Sequence, residues 1–152
     1  EKAAGRSLTG LRDYAEATKG QICHWFTVDD LNHLKRGGRV SAAAAVMGTM
    51  LNIKPVLHVD DAGHLIPMEK VRGRKASLDA LVAHMEKDAV DPASQTVFIS
   101  HGDCRADAEY VADLVREKFG TQDIRIHSIG PVIGSHSGPG TVALFYLGRT
   151  RG

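Results

Sequence analysis

Seven residues, Gly134-Ser135-His136-Ser137-Gly138-Pro139-Gly140, set an imidazole between two hydroxyls inside a frame of three glycines. Glycines let the backbone approach a ligand closely, the hydroxyls donate hydrogen bonds, and a protonated His136 would add charge. That is the chemistry of an anion-binding loop. A plain glycine turn ahead of a strand fits the same composition. A phosphate loop needs Gly-x-x-x-x-Gly-Lys-Ser/Thr opening a helix. Here Gly140 precedes Thr141 to Leu147, an apolar and β-branched run that predicts a strand.

Two other places hold reactive side chains. Ser100-His101-Gly102-Asp103 falls where a strand should end and a helix begin, a favoured position for ligand sites in α/β folds. The sequence lacks the Gly-x-Ser-x-Gly of a nucleophile elbow. The structural alternative has Gly102 making the turn and Asp103 capping the helix. Leu34-Lys-Arg-Gly-Gly-Arg39 presents a guanidinium just after a glycine stop, where its planar fork suits a carboxylate or phosphate. A small enzyme using His136 or His101 as base and Ser135, Ser137 or Ser100 as nucleophile is a second reading, without an evident orienting acid.

Eight histidines and two cysteines, Cys23 and Cys104, show no metal-ligand spacing, so we expect no metal and no disulfide framework. His24, His58 and His127 fall on strands as packed or surface residues, and His33, His64 and His84 read as solvent-facing. A formal net charge of +1 gives no electrostatic footprint for nucleic acid. Reduced cysteines and the lack of a membrane-length apolar run suit a cytoplasmic protein. Glu1 is not an initiator methionine, which suggests a fragment.

The elements that must position these groups follow from period and punctuation. The 152 residues suffice for one domain with its own core. Ser7 caps a helix that ends near Gly20. Gln21 to Val28 is a strand with Ile22, His24 and Phe26 opposite Cys23, Trp25 and Thr27. Asp29 caps a short helix stopped by Gly37-Gly38, and Ser41 opens an alanine-rich helix running toward Ile53. Pro55 to Val59 and His64 to Ile66 make a hairpin around Asp60 to Gly63, with Met68 to Val71 extending it. Helices over Arg74 to Lys87 and from Asp103, and strands over Thr96 to Ser100 and Ile124 to Ser128, complete the pattern. The fold class is α/β: a two-layer sandwich with a mixed sheet of about six strands and helices mainly on one face.

Five segments, in order and covering nearly the whole chain, resemble the DegV family of bacterial fatty-acid-binding proteins. They are Phe26-Thr-Val-Asp-Asp-Leu31, Leu34 to Arg39, Leu51-Asn-Ile-Lys-Pro55, Val71-Arg-Gly-Arg74 and Ile129 to Gly140. The resemblance implies that residues 1–152 form one domain, the C-terminal of two, with an N-terminal domain absent. It implies a long acyl chain held between the domains, its carboxylate shared by Arg39, His136, Ser135, Ser137 and Gly138. The alanine-rich helix then becomes a smooth wall for the tail through Ala43, Val46, Met47 and Met50. By the same resemblance the protein is a carrier without cofactor or catalysis of its own, with at most transient membrane contact. It presents lipid to a separate ATP-dependent fatty-acid kinase, which Arg72 and Arg74 would meet.

Overall fold

The computed structural model describes residues 1–40 and 52–151. The alanine-rich helix, with Ala43, Val46, Met47 and Met50, lies outside the described residues. Its expected end is corrected, because Asn52 takes a positive φ of 64° and Ile53 already opens a strand.

Helix α1 (Leu8–Thr18) begins where Ser7 Oγ accepts from the Gly10 N–H, as the sequence predicts, and buries no residue. Strand β1 (Ile22–Thr27) leads to the short α2 (Leu31–Arg36). The cap of α2 is Asp30, which accepts from Asn32 N at 2.8 Å, and not Asp29. Asp29 instead turns its carboxylate to Lys54 at 2.9 Å and Arg74 at 3.6 Å. The hairpin β2 (Ile53–Val59) and β3 (Leu65–Arg72) carries a register shift between Val56 and Leu57, opposite Met68. Then come α3 (Arg74–Asp88), β4 (Val97–His101), α4 (Arg105–Phe119), β5 (Ile124–Ser128), α5 (Pro131–Ser137) and β6 (Val142–Leu147).

The six strands form one sheet in the order β3-β2-β1-β6-β4-β5. Among the paired strands of the described residues only β4 and β5 run parallel, and the crossover α4 makes the return that a parallel pair needs. The two faces differ. Alternation along β1 sends Cys23 and Trp25 to the face covered by α3 and α4. There they join Leu78, Leu81, Met85, Ile99, Val111 and Leu144 in the main core. The opposite face carries His24, Phe26, Ala143 and Phe145, and there α2 and α5 are the short helices that border it. A smaller core of Phe26, Val28, Leu31, Leu34 and Leu57 anchors α2.

Candidate functional site

A cavity of about 410 Å³ occupies this second face. The sheet supplies its floor through Phe26, Ala143, Phe145, His24 and Ser100. Its walls are Leu34 of α2 and Arg39 just beyond it, Val59 and Leu65 at the hairpin end, and Val132, Ile133, His136 and Ser137 of α5. The lining is therefore mainly hydrocarbon and aromatic, with a few polar groups.

The stretch from Gly134 to Gly140, expected as a loop, is a helix up to Ser137. Pro131 supplies a preset φ at the first helical position, and Gly138 N donates to Gly134 O at 2.8 Å to close the last turn. Gly138 then takes a φ of 80° and lies under the His33 ring, where a Cβ would sit 2.6 Å from Cδ2. His33 is thus packed against a neighbour and not simply solvent-facing. Gly140 has a φ of 76° and lies beneath the Asp29 carboxylate, 2.6 Å from Cγ for any added Cβ. Thr141 Oγ1 donates to Gly138 O at 2.8 Å and Ser137 O at 3.1 Å, fixing the turn into β6.

The expected polar residues separate at this point. Arg39, His136 and Ser137 line the cavity together. His136 Nδ1 rests directly on Gly37, whose lack of a side chain admits the ring. Arg39 is placed by the turn that ends α2: its N–H donates to Leu34 O at 2.8 Å and its Nη1 to Gly37 O at 2.6 Å. Ser137 is 4% exposed, and its Oγ has no hydrogen-bond partner among the described residues. Ser135 is exposed and spends its hydroxyl on Val132 O at 2.8 Å, on its own helix. Gly138 shapes the turn behind Ser137 and does not line the cavity.

The Ser100 to Asp103 corner is built differently from the expectation. Asp103 has a φ of 52° and does not cap α4; Cys104 holds the cap position, and its N–H donates to His101 Nδ1 at 3.3 Å. His101 is buried at that corner and is absent from the cavity wall. Gly102 braces the turn instead: its N–H donates to Thr141 O, and its carbonyl accepts from Gly140 N. No serine hydroxyl is hydrogen-bonded to a histidine among the described residues, so the hydrolase reading finds no nucleophile and base pair. The described residues also hold no cluster of three metal-ligating side chains.

The basic run separates too. Arg72 is exposed at the end of the edge strand β3. Arg74 turns inward and meets Asp107 through Nε at 2.9 Å and Nη2 at 2.8 Å. His84 is not solvent-facing. Its ring stacks on Trp25 with centroids 3.5 Å apart, and Nε2 meets Glu69 at 2.8 Å. The cavity residues absent from the sequence expectation are chiefly the floor and walls, namely His24, Phe26, Phe145, Val132 and Ile133, whereas Ser100, expected as a nucleophile, lies on the floor. Period-two alternation on β1 already marked His24 and Phe26 as sharing a face.

The family model described as "Uncharacterised protein, DegV family" matches residues 2–149. The chain belongs to the DegV family. A DegV domain-containing protein of Clostridium perfringens is 51% identical over 150 residues, covering 99% of this chain and 52% of that protein. Among solved structures, the fatty acid binding DegV family protein of Streptococcus agalactiae superposes with a TM-score of 0.78 at 32% identity. That match covers 98% of this chain and 52% of the other. The Fatty Acid Kinase (Fak) B3 protein of Streptococcus pneumoniae, loaded with linoleic acid, shares the fold at 21% identity with a TM-score of 0.85. It covers 95% of this chain and 50% of that one. This DegV chain therefore spans about half the length of the relatives it matches. None of its described helices is long and apolar enough to cross a membrane.

Proposed function

We propose that this DegV chain forms half of a carrier for long-chain fatty acids. The observation that carries the reading is the mainly apolar cavity on the open sheet face, with Arg39, His136 and Ser137 together on its wall. A buried carboxylate needs charge and hydrogen bonds from such groups, because an unpaired buried charge costs several kcal/mol. The orphaned Ser137 hydroxyl would gain a partner in the same event. Each methylene buried contributes about 0.8 kcal/mol, so a long tail supplies affinity while the head sets orientation. The relatives described as fatty acid binding, and the one loaded with linoleic acid, support the ligand class.

A second domain, preceding this one in a protein of the relatives' length, supplies the remaining wall and the other half of the carboxylate site. The carrier works in the cytoplasm and does no chemistry of its own. It hands lipid to a separate kinase, and Arg72, exposed where Arg74 is committed to Asp107, supplies the contact. The Streptococcus pneumoniae relative's description as a fatty acid kinase B protein supports that partner. Mass spectrometry of ligand extracted from the protein at its full encoded length tests the reading. A stoichiometric acyl chain is expected, and recovery of none from freshly purified protein would overturn it.

A further inference from the structure

The segment that leads from β1 through α2 meets α5 and its following turn at three places. Asp29, His33 and Gly37 follow one another at intervals of four residues, and they face Gly140, Gly138 and His136 in that order. At each place one member is a glycine, because a Cβ on it would run into the side chain opposite.

The Asp29 contact differs from the other two in being anchored from outside. Its carboxylate meets Lys54 Nζ of β2 at 2.9 Å and Arg74 Nη1 of α3 at 3.6 Å. Lys54 Nζ also donates to Asp29 O at 3.2 Å, which ties side chain and backbone to the same cation. Arg74 is fixed in turn by Asp107 in the first turn of α4, through Nε at 2.9 Å and Nη2 at 2.8 Å. Its Nη1 is sealed from solvent without a hydrogen bond to any described residue, so the Asp29 carboxylate is the anion that faces it. The Lys54 and Arg74 side chains are only 18% and 21% exposed, and such pairs are screened less than surface ones. None of these four residues lines the cavity.

The turn beneath Asp29 carries the head-group residues. Gly140 N donates to Gly102 O at 2.7 Å, and Thr141 Oγ1 reaches back to Gly138 O at 2.8 Å and Ser137 O at 3.1 Å. A shift at Gly140 is therefore passed to Ser137 and, one residue further back, to His136.

We infer that Asp29 is a positioning residue for the carboxylate site: a charged stop, held by Lys54 and Arg74, that seats Gly140 and so sets Ser137 and His136 against the cavity. The inference rests on the fatty-acid reading and adds to it a residue that touches no ligand. A binding group holds its geometry only as well as the groups behind it do. Asparagine at position 29 keeps the shape over Gly140 but turns a neutral amide to the two cations, and bonds to a neutral partner are about half as strong.

Calorimetric titration with oleate of the protein at its full encoded length, as a double-mutant cycle, tests this. Asp29→Asn should weaken oleate binding about tenfold in the wild-type background. In a His136→Ala background the same change should cost about threefold or less, because much of what Asp29 positions is already gone. A general loosening of the fold would cost the same factor in both. Lys54→Met, which removes one anchor and keeps the aliphatic stem, runs through the same cycle if Asp29→Asn fails to fold. Undiminished binding by the folded variant, or an equal loss in both backgrounds, would overturn the inference and leave the carrier reading standing. A wild type that binds no oleate would remove the carrier reading, and this inference with it.

Discussion

His136 reaches the cavity because Gly37 has no side chain. A methyl there would collide with Nδ1 and lie 3.2 Å from Cγ and 3.3 Å from Cβ of His136, so something must move. Gly37→Ala should therefore displace the imidazole, cost about 1–3 kcal/mol of stability as overpacking does, and weaken fatty-acid affinity toward the level of His136→Ala. Gly20→Ala is the control, since an added Cβ there meets nothing within 4 Å and the residue is not part of the cavity lining. Thermal melts and titration with oleate on the protein at full encoded length decide it. If Gly37→Ala binds as tightly as wild type, that contact does not position His136.

Most elements were readable from period and punctuation because local preference and tertiary structure agree in them. The strand expected over Ile124 to Ser128 is β5 residue for residue, and the Ser7 cap is where its side-chain chemistry puts it. The misreadings fall where packing overrides local preference. Gly134, Ser135 and Ser137 are weak helix formers, yet α5 forms because Pro131 starts it, His136 docks on Gly37, and Gly138 fits beneath His33. Nothing local shows that Asp29 is drawn off to Lys54 and Arg74, leaving the cap to Asp30. The floor of the site was partly legible through alternation on β1, whereas the meeting of α2 with α5 is long-range and left no sequence period.

The stack of α3 on β1 gives a prediction at the same scale. His84 lies over Trp25 and against Glu69 of β3, with Lys87 and Asp88 the nearby charges of α3. Burial holds its pKa below the ordinary 6.5, with Glu69 opposing in part. Above that value the ring is neutral whether the chain is folded or not, and the stack contributes in full. As pH falls below it the unfolded chain takes up the proton first, so stability is lost until the folded ring protonates as well. His84→Phe keeps a ring on Trp25 and removes the titration. Between about pH 7.5 and about pH 5.5 the wild-type Tm should fall more steeply than the variant's. Parallel curves would show that His84 contributes nothing to the acid sensitivity.

Across the molecule the sheet divides the labour between its faces. One face is sealed by α3 and α4 into a core dense enough to hold the fold, with Leu81, Met85, Ile99 and Leu144 fully buried. The other carries the cavity, and beside it Val132 and Ile133 remain 73% and 65% exposed, with Phe98 at 43% on the same sheet face. Apolar side chains gathered at the mouth of an apolar cavity are the mark of a surface that meets another. If a second domain provides that cover, residues 1–152 alone should hold fatty acid weakly, because one wall and half of the carboxylate's partners are missing. Titration of the 152-residue chain with oleate should give weak or no binding, and sedimentation should show self-association that Val132→Ser with Ile133→Ser abolishes. Tight, saturable binding of one oleate per chain would mean that the cavity is complete as it stands, and the proposed second wall would fall.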